Sequence, residues 1–426
     1  MKLKMPFFVT VCLIFLIVDA DAMDGNGAID IKKGELLTLQ RCIEIALKRH
    51  PSIIASRSNK MAAESRVGQA ISGYYPQIEL NTGYNRLHTS RDTIDQYSNS
   101  IILRQNIYDF GRTRTSTRIQ RFNVDSSEAE IENITIQIIF NVKQAYYNLI
   151  KAKRNRDVSA EIVRQFEEHL LQAKGFYEAG TRPRYDVTQA EVNLSNARVN
   201  LIRAENNVRL ALAALNNAMG VTDSSEYDIE DDLFYNKYEV TFDDALSVAL
   251  RSRPDLRSLI SRRRAAEGSL ELARRNYYPT LSGSVTYGWS GSSFPLEREW
   301  NLGASLSFPV FSGFLTRYQV SEAEANLNAI KADEELLRQK IFLDLQQTYL
   351  NLREAEERIP ATELAVRQAT ENLEIARGRY EAGVGSPIEV TDAEVSYANA
   401  KASYIQALTD YRIAIADLER AIGKKD

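Results

Sequence analysis

The sequence predicts a mainly α-helical, tandem-duplicated protein with a membrane β-barrel part, in which long antiparallel helical hairpins are joined to short strand pairs. Three observations predict it. The second half repeats the first at one constant offset in residue number, which carries Ala46 to Ala249 and Gly220 to Gly423. Each half holds two runs that alternate between apolar and small polar residues, the period of a strand with two different faces. Each half also holds one long stretch without proline, Thr113 to Phe176 and Thr316 to Arg379, Pro360 excepted, as long helices require.

The repeat is read from landmarks. Ala46, Leu47 and Pro51 return as Ala249, Leu250 and Pro254, and Tyr75-Pro76 returns as Tyr278-Pro279. Gln144-x-Tyr146-x-Asn148-Leu149 returns as Gln347-x-Tyr349-x-Asn351-Leu352. Tyr177-Glu178-Ala179-Gly180 returns as Tyr380-Glu381-Ala382-Gly383, and Gly220 as Gly423. Shared composition cannot hold Pro, Gly and Tyr in one register over that distance, so the halves are copies of one unit. They span 37–220 and 240–423, separated by an acidic, largely irregular connector at 221–239 that carries Asp223, Glu226, Asp228, Glu230, Asp231 and Asp232. Residues 424–426 form the C-terminal end.

Residues 1–22 read as a cleavable signal peptide: Lys2 and Lys4, an apolar run from Pro6 to Val18, then Ala20-Asp21-Ala22. That run is about 13 residues, against the roughly 20 a spanning helix needs. Cys12 lacks the preceding small residues of a lipoprotein signal, and its loss leaves Cys42 alone, without an intrachain disulfide. Residues 23–36, rich in Gly and Asp, are expected to be extended or disordered.

Each unit then opens with a short helix and a second one, Ser52 to Ser72 and Asp255 to Asn276. The Tyr-Pro pairs end them, because a residue before proline is pushed out of the helical region. Strands follow at about 77–107 and about 280–308. Leu281, Val285, Tyr287 and Trp289 share one face, with Ser282, Ser284, Thr286 and Gly288 on the other. Trp300, Leu302, Ala304, Leu306 and Phe308 continue the apolar face after a Gly/Ser-rich loop. Ile78, Leu80, Thr82 and Tyr84 repeat the pattern more weakly. Strands of about nine residues with aromatic ends fit a transmembrane barrel, and a soluble hairpin is the alternative for any one pair.

Long helices follow from about Thr113 to Phe176 and Thr316 to Arg379, roughly 90 to 100 Å each at 1.5 Å per residue. Shorter helices, Tyr185 to Met219 and Ile388 to Ile422, return antiparallel. Ala190, Val192, Leu194 and Ala197 are expected in their packing seam.

A closed membrane barrel needs about eight strands, and an open edge would leave backbone unpaired in lipid. Four strands therefore require that several chains share one barrel. The net charge of -4 disfavours nucleic acid. His50, His88 and His169 lie too far apart in sequence to suggest a metal site, and no cofactor motif or catalytic arrangement stands out.

These features together, the signal peptide, the duplication, the Tyr-Pro approach to each strand pair and the Tyr-Glu-Ala-Gly turns, resemble the TolC-type outer-membrane efflux proteins from about Leu37 to Gly423. The resemblance implies a homotrimer with a twelve-stranded barrel in outer-membrane lipid and a periplasmic α-barrel. It also implies a periplasmic adaptor protein and, through it, an inner-membrane pump or ABC transporter. The chain would be a passive, gated exit duct for small molecules, or alternatively the outer-membrane channel of type I protein secretion. A periplasmic coiled-coil scaffold is a remote third reading.

The functional positions are expected at the two hairpin tips. Gly383 suits the left-handed turn that ends a helix, and Ser386-Pro387-Ile388-Glu389 reads as a capping box. Gly180 and Asp186 hold the matching places in the first tip. The resemblance implies that Glu389 and Asp392 ring the periplasmic entrance, that Asp186 contacts Tyr380 to keep it closed, and that Gly180 to Tyr185 and Gly383 to Pro387 meet the adaptor. A first-turn carboxylate is also stabilised by capping and the helix macrodipole in any protein, which covers Asp186 and Glu389 better than Asp392. The sequence departs from the family's best-known members at Gly385, where they carry arginine; Arg182 holds that place in the first repeat.

Overall fold

The computed structural model describes residue 31 and residues 34–222 and 227–425. The expected signal peptide at 1–22, most of the segment at 23–36, Asp223 and Glu226 of the connector, and residue 426 lie outside the described residues.

The elements run β1 (Leu36–Leu37), α1 (Leu39–Arg49), α2 (Pro51–Ile71), β2 (Gln77–His88), β3 (Thr93–Tyr108), α3 (Arg112–Glu178) and α4 (Arg184–Met219). After β4 (Asp228–Ile229) come α5 (Phe242–Ser252), α6 (Pro254–Arg275), β5 (Thr280–Gly291), β6 (Glu297–Ser307), α7 (Leu315–Glu381) and α8 (Pro387–Ile422). Local chemistry repeats along with the elements. Thr38 caps α1 by accepting from the Arg41 N–H at 3.2 Å, and Thr241 caps α5 by accepting from the Asp244 N–H at 3.3 Å. Proline stands at the first position of α2 and of α6, where its missing N–H costs nothing.

The strands form one antiparallel sheet in the order β2-β3-β5-β6. The register aligns Ile78, Leu103, Val285 and Leu302 in one row and Leu80, Ile101, Tyr287 and Trp300 in another. Both rows lie on the same face, and Ile78, Leu80, Trp300 and Leu302 are more than 60% exposed, as lipid-facing side chains would be. On the opposite face Gln77, Arg104, Ser284 and Gly303 align, as do Asn81, Ser100, Gly288 and Glu299. The strands reach 11 to 16 residues, longer than the nine expected, because both hairpin loops are shorter than their polar composition suggested. β2 and β6 are left as open edges.

α3 and α7 are 67 residues each, about 100 Å of helix, and α7 continues through Pro360. α3 packs on α4, and α7 on α8. The seam of α4 buries Ala190, Leu194 and Ala197, but Val192 is 49% exposed and turns away from it. A spacing of two from Ala190 takes Val192 round to the opposite side of a 3.6-residue turn.

The largest core lies at the waist of the long helices. On α3, Val142, Tyr146, Leu149 and Ile150 recur at helical spacing and pack with Leu215, Leu408, Leu418 and α1. The connector is strapped over this core. β4 pairs in parallel with β1, the Tyr146 hydroxyl donates to the Glu230 carbonyl at 2.7 Å, and Arg154 grips Asp231 through two hydrogen bonds. Tyr411 donates to the Asn236 carbonyl and accepts from the Tyr238 N–H, both at 2.9 Å. No described helix is long and apolar enough to cross a membrane.

Candidate functional site

Far from the sheet, each long helix reverses into its partner through a turn built on left-handed glycine. Gly180 has φ +75° and Gly383 φ +77°. The next N–H in each tip reaches back to a helix carbonyl, Thr181 to Phe176 and Val384 to Arg379, both at 3.0 Å. These are the bonds that satisfy the last carbonyls of a helix.

The structure brings Tyr380, Asp186, Arg182 and Gly385 together. Tyr380 is 1% exposed, its ring 5.0 Å from His169 and 5.6 Å edge-on from Phe176, both on α3. Arg182 lies 5.7 Å above the Tyr380 ring and donates to the Gly385 carbonyl at 2.8 Å. Asp186 is buried beside them. Burial pushes the Tyr380 hydroxyl above its ordinary value, the Asp186 charge adds to the rise, and Arg182 opposes it. Burial likewise lowers His169, assisted by Arg377 and opposed by Asp186. The Tyr380 hydroxyl has no hydrogen-bond partner among the described residues, whereas Arg182, Gln172 and Asn193 each donate across to the second hairpin, to the Gly385 carbonyl, Glu381 and Thr391.

Gly385 is needed for a reason other than its φ. A Cβ there would lie 2.8 Å from the Tyr380 nitrogen and 2.9 Å from the Arg379 carbonyl carbon, both backbone atoms. Its own N–H donates to the Arg379 carbonyl at 2.8 Å. Gly385→Ala is therefore expected to push this turn off the helix end and break the Arg182 contact, at a cost of about 1–3 kcal/mol. Faster protease cleavage within 382–386 than in the native chain would register it; unchanged cleavage would show that the turn yields without loss.

The expected capping box is only half made. Ser386 accepts from the Ile388 N–H at 3.3 Å, but Glu389 turns away toward Arg379, 3.4 Å from its Nε. An arginine at the end of α7 offers the carboxylate a charged partner, which outcompetes one backbone N–H. Pro387 occupies the first helical position. Asp392, one turn on, is exposed and makes no ion pair among the described residues.

One acidic residue was not singled out from the sequence. Glu394 is 1% exposed and pairs with Arg377 at 3.2 Å, leaving its second oxygen without a hydrogen bond. Its counterpart in the first repeat, Glu191 with Lys174 at 3.9 Å, stays half exposed. The signal was present: Val390, Ala393, Glu394 and Tyr397 follow the spacing of a buried helical stripe, and Glu394 is its charged member. A further bridge joins α3 to α8, where Glu161 accepts from the Tyr397 hydroxyl at 2.9 Å and from Lys401 at 2.8 Å. No group of three or more potential metal ligands occurs among the described residues.

Comparison with known proteins adds a common theme. The family model described as "Outer membrane efflux protein" matches residues 42–221 and again 245–424, two matches set apart by the same offset as the sequence landmarks. The chain is 23% identical over 337 residues to the probable outer membrane lipoprotein SilC of Salmonella typhimurium, covering 76% of this chain and 72% of that protein. It is 22% identical over 387 residues to the outer membrane protein TolC of Escherichia coli, covering 85% and 77%. Its fold is similar to the crystal structure of the Campylobacter jejuni CmeC outer membrane channel, with a TM-score of 0.81 at 20% identity over 90% of this chain and 85% of that one.

Proposed function

The chain belongs to the outer membrane efflux protein family, and from that premise we propose that it is the exit duct of a tripartite export system, a homotrimer that passes small molecules outward. As a member of that family it is an outer-membrane efflux channel and not an enzyme. The observation that carries the trimeric duct is the four-stranded sheet with two open edges, continuous with helical hairpins about 100 Å long. Three copies supply twelve strands, enough to close a barrel, and twelve hairpin helices, six long and six shorter, to continue it through the periplasm.

In this reading the tips are the periplasmic entrance. Glu389 and Asp392 are its charged ring, and Tyr380, Asp186 and Arg182 hold it shut. The exposed turns around Gly180 and Gly383 receive a periplasmic adaptor, through which an inner-membrane pump supplies the energy. A passive duct of this kind consumes no cofactor.

The test is accumulation of a panel of dyes, antibiotics and metal ions in cells lacking the gene, compared with cells carrying it on a plasmid. Raised accumulation of some compounds, reversed by the plasmid, is the expected result and names the cargo class. No change across the panel overturns small-molecule export and directs the search to a secreted protein.

A further inference from the structure

Where the helices meet the sheet, the chain is basic and aromatic. Residues 109–118 and 271–275, around the start of α3 and at the end of α6, hold five arginines and two carboxylates. The register pairs Tyr108 with Leu281, a member of the apolar face, so Tyr108 stands at the end of that face nearest the helices. Three rings follow one another there. Phe110 meets Tyr108 edge-on at 4.7 Å and stacks on Tyr278 at 5.8 Å, and both tyrosines are exposed. With Glu271, Arg274 and Arg275 these rings wall a groove of about 320 Å3.

The groove is built with some backbone strain. Phe110 has φ +52°, in the left-handed region that a bulky side chain rarely adopts. Asp109 accepts from the N–H groups of Gly111 and Thr113, and Arg275 donates to the Phe110 carbonyl, so the turn is held from both sides.

The arginines divide by task. Arg112 donates to the Arg275 and Tyr278 carbonyls, while Arg275 and Arg118 both pair with Glu271. Arg274 and Arg114 are exposed and have no partner among the described residues. Arg114 lines an adjoining hollow that shares Tyr108, Phe110 and Arg275 with the groove.

The repeat separates what the fold needs from what it does not. A left-handed turn recurs after β6 at Gly313 and Phe314. The counterparts of Arg274 and Arg275, at the end of α2, are Ile71 and Ser72. A helix end of this kind therefore forms without a cation, and the unpartnered Arg274 serves something outside the chain. The groove also lies on β3 and β5, the central strands, so further copies joining at the open edges would leave it uncovered.

In an outer-membrane protein with its helices in the periplasm, the periplasmic leaflet faces this groove. We propose that it is a binding site for an anionic phospholipid of that leaflet, with Arg274 and Arg114 taking the phosphodiester and the three rings the glycerol region. Guanidinium groups pair with phosphate oxygens through parallel hydrogen bonds, and aromatic rings settle at headgroup level. The acyl chains would continue along Leu281 and Val285 on the apolar face. A zwitterionic headgroup brings its own cation among the arginines and is disfavoured.

Native mass spectrometry of the purified protein, titrated in detergent with dioleoylphosphatidylglycerol or dioleoylphosphatidylethanolamine, tests this. Phosphatidylglycerol is expected to bind at the lower concentration. Arg274→Gln should weaken it roughly fivefold, the effect of one arginine near an anionic surface, and leave phosphatidylethanolamine binding unchanged. Adding Arg114→Gln should weaken it further, whereas Arg274→Lys should keep most of the preference. Because neither arginine has a partner in the chain, the variants should keep the native oligomer and melting temperature. Equal affinity of the native protein for the two lipids overturns the site. So does an equal loss from Arg317→Gln, the repeat counterpart of Arg114, which would mean diffuse attraction and no built groove. Ammonium phosphate that binds with the same sensitivity to Arg274→Gln, without any lipid preference, would make the occupant a free anion and overturn the lipid assignment.

Discussion

Replacing both Glu389 and Asp392 by alanine is expected to abolish block of the channel by a trivalent cation added from the periplasmic side. Both carboxylates are exposed, one turn apart on α8, and three copies would bring six of them round one opening. Two unit charges ~10 Å apart interact by about 0.4 kcal/mol in water, so a trivalent ion gains about 1.2 kcal/mol from each carboxylate. Salt at physiological strength screens much of this. Even with half of the sum lost, roughly a four-hundredfold change in the blocking concentration remains.

The two positions are not equal. Glu389 is partly neutralised by Arg379 at 3.4 Å, whereas Asp392 has no such partner among the described residues. Asp392→Ala alone is therefore expected to weaken block more than Glu389→Ala alone. Titrating hexamminecobalt(III) against single-channel current measures all three variants. Block that survives in the double variant would remove these residues from the entrance.

Arg377→Met is the largest stability loss expected near the tips. Glu394 is 1% exposed, and Arg377 is its ion-pair partner, at 3.2 Å. Removing one member of a buried pair leaves the other charge without compensation, at a cost of about 3–5 kcal/mol. Glu394→Gln in the same chain should recover most of it, since a neutral amide needs no counter-charge. Thermal loss of helical circular dichroism reads both variants, and a double variant no more stable than Arg377→Met would show that the arginine acts through its packing.

The pair also sets a pH dependence. Burial pushes the Glu394 carboxyl above its ordinary value, Arg377 draws it back, and Glu168 adds to the rise. The folded state thus holds this proton more tightly than the unfolded state. The contribution is fully present below the ordinary glutamate value and is lost as pH rises through the raised one. Glu394→Gln should flatten the stability profile across that window.

Much of the architecture was legible because it rests on local chemistry and on repetition. The Tyr-Pro pairs end α2 and α6 by backbone sterics, and alternation in Leu281 to Trp289 marks a two-faced strand at any sheet position. The constant register of the landmarks carried each assignment from one half to the other, and the expected bounds of α3, α4, α7 and α8 fall close to the observed ones. Strand lengths were underestimated because polar residues such as Asp95 and Gln96 can face water from within a strand.

The tip chemistry was legible only in part. The sequence by itself determined the duplicated unit, its helices and strands, the two glycine turns and the acidic positions beside them, because periodicity, proline and glycine act through the backbone of neighbouring residues. Only the tertiary structure decided that Glu394 is buried while Glu191 is half exposed, that Glu389 leaves its capping box for Arg379, and that Arg182 reaches Gly385. Those outcomes depend on which helix face a distant segment covers. α3 lies over the second hairpin of its own chain, and a helical period says which side chains share a face but not what packs against it.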